Sequence, residues 1–215
     1  MMKLVWLLIG PTLLLVIGLI AFQNIIITFL LFYGWLFLIP FLEKETWRYK
    51  GEIRKYILVG VSSGLICMLF IISTSLILQD QLFDLPQVQK KMEIWGFTGN
   101  KVFLFILILI FINPFLEEWY WRGFIYRKLI EKTTVVNAIL YTSFFYALYH
   151  LFLVIYIFTF PFSIIAFLGV LLAGALWGII RHYYQTIYPT IISHCLADIG
   201  IIIVYALVVL GGGTS

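Results

Sequence analysis

Residues 101–125 read KVFLFILILIFINPFLEEWYWRGFI, an apolar stretch whose second half carries two adjacent acids, Glu117 and Glu118, and one base, Arg122. A helix that crosses a bilayer needs about 20 mainly apolar residues, so this stretch is long enough to span a membrane. The run is continuous and not alternating, which favours a helix over a strand of a β-barrel. Charged residues inside a spanning helix are costly and commonly mark function.

The composition of the whole chain agrees with this stretch. Of the 215 residues, 63% are hydrophobic and only 11% are charged, and the mean hydropathy is +1.08. An average soluble domain has about 25% charged residues. The composition therefore excludes a soluble globular protein, a disordered chain and a nucleic-acid-binding domain, and makes membrane lipids the expected surroundings. The net charge of +4 is attributed to basic residues beside the membrane.

The sequence predicts an all-α fold, a polytopic transmembrane helix bundle of about seven spanning helices. The apolar runs occupy residues 4–22, 25–42, 56–78, 101–125, 134–151, 163–181 and 189–210. We expect N-terminal transmembrane helices and a loop in residues 1–98, and a second transmembrane domain, which begins with the charged span, in residues 99–210.

The orientation of the chain can be predicted from its basic residues. If the charged stretch 43–55 is cytoplasmic, only Lys90, Lys91 and Lys101 lie outside, and the other 11 of the 14 Lys and Arg lie inside. Cytoplasmic loops carry an excess of Lys and Arg. The count therefore predicts seven spans with the N-terminus in the cytoplasm and the C-terminus outside, and we expect the membrane of this multi-pass protein to be a bacterial plasma membrane.

Smaller features add three expectations. In the loop 79–100, Asp84 followed by Pro86 resembles a helix start, which predicts either an interfacial helix or an ordinary polar loop. Two pairs of glycines allow close packing of helices within the bundle: Gly60 with Gly64, and Gly174 with Gly178. Cys67 and Cys195 are expected to be small core residues without a disulfide.

The ionisable residues inside the spans fall on three segments. Glu118 and Arg122 are four residues apart, so they lie on one helix face and can form an ion pair. Glu117 is rotated by about 100° from Glu118 and must find its partner elsewhere. Counted from the turn at Glu131–Thr133, Glu117 and His150 lie about 21 and 25 Å deep, so the two side chains reach similar levels and can share a proton or a water.

His194 and Asp198 share one face of the last span. The carboxylate could fix the tautomer of the imidazole, or both could bind a metal. Counted from Pro189, His194 is only about 8 Å into its helix. Either the connection 183–188 dips inward, or the site lies nearer the cytoplasmic side. Together the three segments are typical of a water-activating site with a carboxylate base and imidazole partners.

In order, these residues resemble the motifs of the CAAX-processing-protease and bacteriocin-processing (CPBP, or Abi) family of intramembrane endopeptidases. The three motifs are E-E-x-x-x-R, F-x-x-x-H and H-x-x-x-N/D. Here they read Glu117-Glu118-WYW-Arg122, Tyr146-ALY-His150 and His194-CLA-Asp198. The resemblance covers roughly residues 100–200. It implies hydrolysis of a peptide bond in a membrane-associated or lipidated protein or peptide.

The resemblance also implies roles for the residues. Glu117 would be the general base on a water, assisted by His150, and His194 with Asp198 would stabilise the oxyanion. Arg122 would pair with Glu118 and hold the first motif in place. Tyr146 replaces the usual Phe. Asp198 stands where many members have Asn, so it is expected to orient His194, to bind a metal, or to be protonated.

The cofactor stays open at this stage. Members of the family are described both as metalloproteases and as metal-free enzymes driven by the glutamate. Zinc or another divalent metal would find ligands among five residues, although the spacing lacks the H-E-x-x-H pattern. These residues are Glu117, Glu118, His150, His194 and Asp198.

Two other functions compete with the protease. One is a non-catalytic membrane protein that confers self-immunity to a bacteriocin or regulates a partner. The other is a proton-coupled transporter, which the lack of inverted repeats disfavours. Small size and a Lys- and Ile-rich composition favour a bacterial source.

Overall fold

The computed structural model of the chain describes residues 2–44 and 52–210. Residues 45–51, part of the charged stretch that we expect on the cytoplasmic side, lie outside the described residues. The helices are α1 (Met2–Val16), α2 (Ile25–Leu42), α3 (Ile53–Ile77), α4 (Gln79–Leu82), α5 (Leu85–Trp95), α6 (Lys101–Leu107), α7 (Asn113–Glu118), α8 (Tyr126–Ile130), α9 (Val135–Ile157), α10 (Phe162–Tyr184) and α11 (Tyr188–Val204). Segments of π-helix extend or join them at Ile17–Ala21, Ile108–Ile112, Trp119–Ile125 and Tyr205–Leu210.

The predicted fold class is confirmed. Seven helical stretches of the described chain are long and apolar enough to cross a membrane, namely Leu4–Ala21, Ile25–Leu42, Ile53–Ile77, Lys101–Ile130, Val135–Ile157, Phe162–Tyr184 and Tyr188–Leu210. The described residues, 2–44 and 52–210, contain no β-strand. Many large apolar side chains on the spans are exposed, as expected where they face lipid tails and not water.

The fourth and fifth spans end five and six residues beyond the apolar runs that predict them. The fourth continues to Ile130 instead of 125, and the fifth to Ile157 instead of 151. In the fourth span, Tyr126 and Leu129 are buried in the core, so the helix continues through the basic residues between them. Packing and capping determine where a helix ends, so its end need not coincide with the residue at which hydropathy falls.

The loop 79–100 contains the predicted helix. The Asp84 carboxylate caps α5 by accepting a hydrogen bond from the Gln87 amide at 3.2 Å, and α5 ends at Gly96 with a φ of +79°. Val88 and Trp95 are buried, and the Trp95 ring lies edge-on to Tyr156 of α9. This helix therefore packs across one end of the bundle.

Glycines bring two pairs of helices close together. On α3, a Cβ added at Gly60 or Gly64 would meet α11, at 2.7 Å from Ile192 and 2.8 Å from Leu196. On α10, Gly174 and Gly178 face α9 in the same manner. The prediction that both glycine pairs serve packing within the bundle is confirmed, and the free thiols of Cys67 and Cys195 are partly buried as expected.

The connection between α10 and α11 dips into the bundle. Thr186, Ile187 and Pro189 are buried, and the Tyr126 hydroxyl lies 2.9 Å from Nδ1 of His182 near the end of α10. Since Tyr126 is more than a helical turn inside the 131–134 turn, α11 starts well below that turn. The first of the two alternatives for the depth of His194 is therefore the observed one.

Candidate active site

The two glutamates lie on a short α-helix enclosed by two π-helical segments. Asn113 and Pro114 open α7, and Glu117 and Glu118 close it, with Ile108–Ile112 before it and Trp119–Ile125 after it. Proline at the first turn of a helix fits because its missing N–H would be unpaired there. Such π-helical turns occur frequently at functional sites. Both glutamates are almost wholly buried.

The predicted ion pair is present and fully buried. Nη1 of Arg122 donates to Oε1 of Glu118 at 3.0 Å. Nη2 of Arg122 donates to the Gly174 carbonyl at 3.0 Å. The guanidinium lies over the Tyr146 ring at 4.5 Å and the Trp177 ring at 5.3 Å. Arg122 therefore ties the fourth span to α9 and α10.

Oε1 of Glu118, which accepts a hydrogen bond from Arg122, also contacts the imidazole of His194. Nδ1 of His194 lies 3.1 Å from Oε1 of Glu118, and because a carboxylate accepts, Nδ1 carries the proton in this arrangement. Trp177 stacks on the imidazole at 4.1 Å with an interplanar angle of 18°, and its indole N–H donates to the Ser193 hydroxyl. Glu118 is therefore the carboxylate within hydrogen-bond distance of the His194 ring, and a role of Asp198 in orienting that ring stays a prediction.

The other ring nitrogen of His194, Nε2, faces three side-chain oxygen atoms at longer distances. Nε2 lies 3.4 Å from the Tyr146 hydroxyl, 3.6 Å from Oδ1 of Asp198 and 3.7 Å from Oε2 of Glu117. Glu117 and Asp198 therefore flank one imidazole edge without a short hydrogen bond to it. Tyr146 brings a hydroxyl that the Phe of the family motif lacks.

Glu117 stands apart from the cation that neutralises its neighbour. Its Oε2 has no hydrogen-bond donor within the part of the chain that the structure describes. The Tyr149 hydroxyl lies beside this carboxylate and, like Oε2, has no hydrogen-bond partner among the described residues. The two adjacent glutamates thus have different surroundings, which is the asymmetry that the helix geometry predicted.

His150 lies beside these groups but does not bond to Glu117. Its Nδ1–H donates to the Tyr146 carbonyl at 2.9 Å, which leaves Nε2 as the free nitrogen. The ring packs on Tyr146 at 4.6 Å and on Tyr149 at 4.4 Å. No polar contact joins His150 to Glu117 among the described residues, so their sharing of a proton or a water stays a prediction.

Sequence reasoning missed a second hydrogen-bonded chain at this site. Nδ2 of Asn113 donates to Oδ2 of Asp198 at 3.1 Å, and the Tyr33 hydroxyl of α2 donates to Oδ1 of Asn113 at 3.1 Å. The signal was available in part, because Asn113 is an amide in an apolar run, four residues before Glu117. Nothing in the sequence links Tyr33 to it.

The candidate metal ligands do not form a ligand set in the described part of the chain. In residues 2–44 and 52–210, no group of three or more His, Cys, Asp or Glu side chains converges as a ligand set would. Oε1 of Glu118 is already shared by Arg122 and His194, and Nδ1 of His150 is bonded to a carbonyl. A zinc ion would need its nitrogen and oxygen ligands free at about 2.0–2.2 Å, and these two atoms are already bonded to other partners.

Fold and site together define a multi-pass, all-helical membrane protein with a buried polar site built from several spans. Residues 99–200 match the family described as "Type II CAAX prenyl endopeptidase Rce1-like". The matched segment contains all three motifs, and the predicted family resemblance is confirmed. At the level of the family, the match supports a CAAX-type intramembrane protease. No curated protein and no solved structure matches the chain.

Proposed function

We propose that this protein is an intramembrane endopeptidase that uses water activated by Glu117 to hydrolyse a peptide bond of a membrane-associated or lipidated protein or peptide. The observation that carries the proposal is the contrast between the two glutamates. Glu118 is paired with Arg122, whereas Oε2 of Glu117 is bonded to no donor of the described chain and faces His194. A general base needs such a free lone pair next to the reacting atoms.

The chemistry assigns one role to each residue. Glu117, assisted by His150, takes a proton from water as the water oxygen attacks the scissile carbonyl carbon. The carbonyl becomes an oxyanion, which His194 and Asp198 stabilise in the family's scheme. The carbon–nitrogen bond then breaks, and the leaving amine takes the proton from Glu117. Glu118 and Arg122 touch neither water nor substrate in this scheme, and they position His194.

Three further statements belong to the same proposal. Residues 99–210 form the catalytic part, and residues 1–98 supply supporting helices. The protein lies in a bacterial plasma membrane with its N-terminus in the cytoplasm. The asymmetry of basic residues supports this orientation, and the family match over residues 99–200 supports the division of the chain.

The proposal is tested by replacing the base and mapping what the cell no longer cleaves. In cells of the source organism, Glu117→Gln replaces the native chain, and peptide termini of the membrane fraction are compared by mass spectrometry. We expect a set of termini to disappear, here called the Glu117-dependent termini. Glu131→Gln is the matched control because Glu131 is an exposed turn residue, and it should change nothing.

The comparison requires equal amounts of each variant in the membrane, measured by immunoblot. If Glu117→Gln cells that contain normal amounts of the chain keep every terminus of the wild type, the protease proposal is wrong.

A further inference from the structure

A groove opens on the surface of the bundle between α3 and α10. Its volume is about 520 Å³, which falls within the range of about 300–1,000 Å³ that is usual for ligand-binding pockets. One wall is a face of α3, because the residues that form it recur every three or four positions. These residues are Lys55, Val59, Ser62, Ser63 and Ile66.

The other wall is a face of α10 near the end of that helix. It consists of Leu176, Ile179, Ile180, Tyr183 and Tyr184. Glu117, His150 and His194 are not among the described residues that line the groove. A molecule that fills the groove therefore touches none of these three side chains, so the groove is a separate site from the one in which we propose that the peptide bond is cut.

The mouth of the groove carries a positive charge. Lys55 lies in the first turn of α3, which begins at Ile53, and its Nζ lies 5.6 Å from the centre of the Tyr184 ring on the opposite wall. No carboxylate within residues 2–44 and 52–210 forms an ion pair with it. A cation in the first turn of a helix is disfavoured by the helix dipole, so the stability of α3 does not explain Lys55.

Below its mouth the groove is suited to an apolar chain. The hydroxyls of Ser62 and Ser63 both donate to the Val59 carbonyl of their own helix, at 3.2 and 2.6 Å, so neither offers a free hydrogen to a ligand. From Lys55 to Ile66 the groove follows about 16 Å of helix. The hydrocarbon core of a bilayer is about 30 Å thick, so this length corresponds to one leaflet.

The chain that leads into α3 adds to the positive charge. Residues 43–55 contain five Lys or Arg and three Glu. Under the proposed orientation this stretch faces the cytoplasm, and the cytoplasmic leaflet is the one whose anionic lipids attract basic segments beside a span. The charge at the mouth and the apolar groove below it therefore complement the two parts of an anionic lipid.

We propose that the groove between α3 and α10 binds an anionic phospholipid of the bilayer, whose phosphate pairs with Lys55 and whose acyl chain fills the groove as far as Ile66. This lipid contacts the helix that supports His194. Leu176 and Ile180 lie on either side of Trp177 in α10, and the Trp177 ring stacks on the imidazole at 4.1 Å.

The experiment measures lipid binding to the purified full chain in detergent micelles. The chain is titrated with phosphatidylglycerol and, separately, with phosphatidylcholine that has the same acyl chains, and native mass spectrometry counts the bound lipid. We expect phosphatidylglycerol to bind about fivefold more tightly or better, because its headgroup has a net negative charge and one basic residue near a lipid surface contributes attraction of this size.

Two neighbouring basic residues separate a specific site from diffuse attraction. Lys55→Gln removes the cation at the mouth, and we expect it to weaken binding of phosphatidylglycerol by about fivefold. Arg54→Gln is the matched control, because Arg54 is also exposed and precedes Lys55 directly but does not line the groove. Diffuse attraction by positive charge predicts equal losses, whereas the proposed site predicts a loss for Lys55→Gln alone.

Filling the groove tests the position of the acyl chain without a change of charge. We expect Ser62→Trp to weaken binding by about tenfold or more, because the indole occupies the space of the chain. Ser73→Trp is the control, since Ser73 is an exposed serine of the same helix outside the groove. Ile179→Trp fills the groove from the α10 wall and should act like Ser62→Trp, so the test does not depend on one variant.

Three results overturn the inference: equal affinity for the two lipids, equal losses in Lys55→Gln and Arg54→Gln, or unchanged binding in both groove-filling variants. Two other occupants would also overturn it. A second copy of the chain would appear as a dimer that Ser62→Trp dissociates. A lipidated substrate would show no preference for phosphatidylglycerol, and the Glu117-dependent termini would disappear in Ser62→Trp cells that contain normal amounts of the chain. Lipid binding is measured without cleavage, so its failure and the failure of the proposed function are separate results.

Discussion

At the scale of single residues, Arg122 is the side chain on which the most contacts of the site depend. It pairs with Glu118, donates to the Gly174 carbonyl and lies against two aromatic rings. Glu118 in turn holds the imidazole of His194. A buried charge is tolerated only when it is paired and hydrogen-bonded. Removing the guanidinium would leave Glu118 as an uncompensated charge in an apolar bundle.

We therefore expect Arg122→Met to lower the free energy of unfolding by about 3–5 kcal/mol, the usual cost of breaking a buried ion pair from one side. Arg122→Lys keeps a charge but lacks the fork that reaches both Glu118 and Gly174, so it should fall between Met and wild type. Equilibrium unfolding in mixed detergent micelles measures both. Lys101→Ala, at an exposed position of the same span, is the control, and an equal loss there would contradict the argument.

Some of these residues could be predicted and others could not, for a geometric reason. Glu118 and Arg122 are neighbours in one helix, so their spacing alone predicts the pair. Tyr33, Trp177 and Tyr149 reach the site through the packing of different spans, which no spacing within one helix encodes. The contact between Glu118 and His194 could not be predicted either, because it depends on how two helices are rotated against each other.

At the scale of elements, the fourth span shows why helical periodicity is a partial guide. The π-helical segments on both sides of α7 hold more residues in a turn than an α-helix does. A helix face that is predicted from 3.6 residues per turn therefore differs from the observed face after each π-helical segment. Within α7 the ordinary spacing holds, so Asn113 and Glu117, which are four residues apart, share one face.

The packing of α10 on α9 gives a prediction with an internal control. A Cβ at Gly174 would lie 3.2 Å from Nη2 of Arg122, 3.2 Å from the Tyr146 ring and 3.3 Å from the Ser143 backbone. We expect Gly174→Ala to lower the free energy of unfolding by about 1–3 kcal/mol, because the buried neighbours must move.

Gly169→Ala is the matched control on the same helix. No atom lies within 4 Å of a Cβ added there, and alanine favours a helix over glycine by up to about 1 kcal/mol. Unfolding in the same micelles should show a neutral or stabilising effect. A Gly174→Ala variant as stable as Gly169→Ala would mean that α9 and α10 are not held at this separation.

At the scale of the whole molecule, the order of the spans was predictable because each is a continuous apolar run. The end of the fourth span was not, since Tyr126 and Leu129 are buried in the core although basic residues lie between them. The sequence also could not predict that the connection between α10 and α11 lies inside the bundle. This position was one of two alternatives that counting residues could not separate, and the Tyr126–His182 contact separates them.

The proposed orientation can be measured with two engineered cysteines. Lys132 and Lys90 are exposed and lie on either side of the fourth span. In a chain whose Cys67 and Cys195 are replaced by alanine, we expect a membrane-impermeant thiol reagent to modify Lys90→Cys in intact cells and Lys132→Cys only in inverted vesicles. The reverse pattern would contradict a cytoplasmic N-terminus, and labelling of both from one side would contradict the span between them.

The ion pair inside the fourth span bears on how the protein is made. This span leaves the ribosome before α9, α10 and α11, which later supply the contacts from Tyr146, Trp177 and His194. An isolated acid entering the bilayer costs at least about 2.5–3.5 kcal/mol. Because Arg122 lies one turn from Glu118, these two charges neutralise each other as soon as the helix forms. The span can thus insert with a single uncompensated acid, Glu117, and the chemistry of the site is assembled only when the last helix arrives.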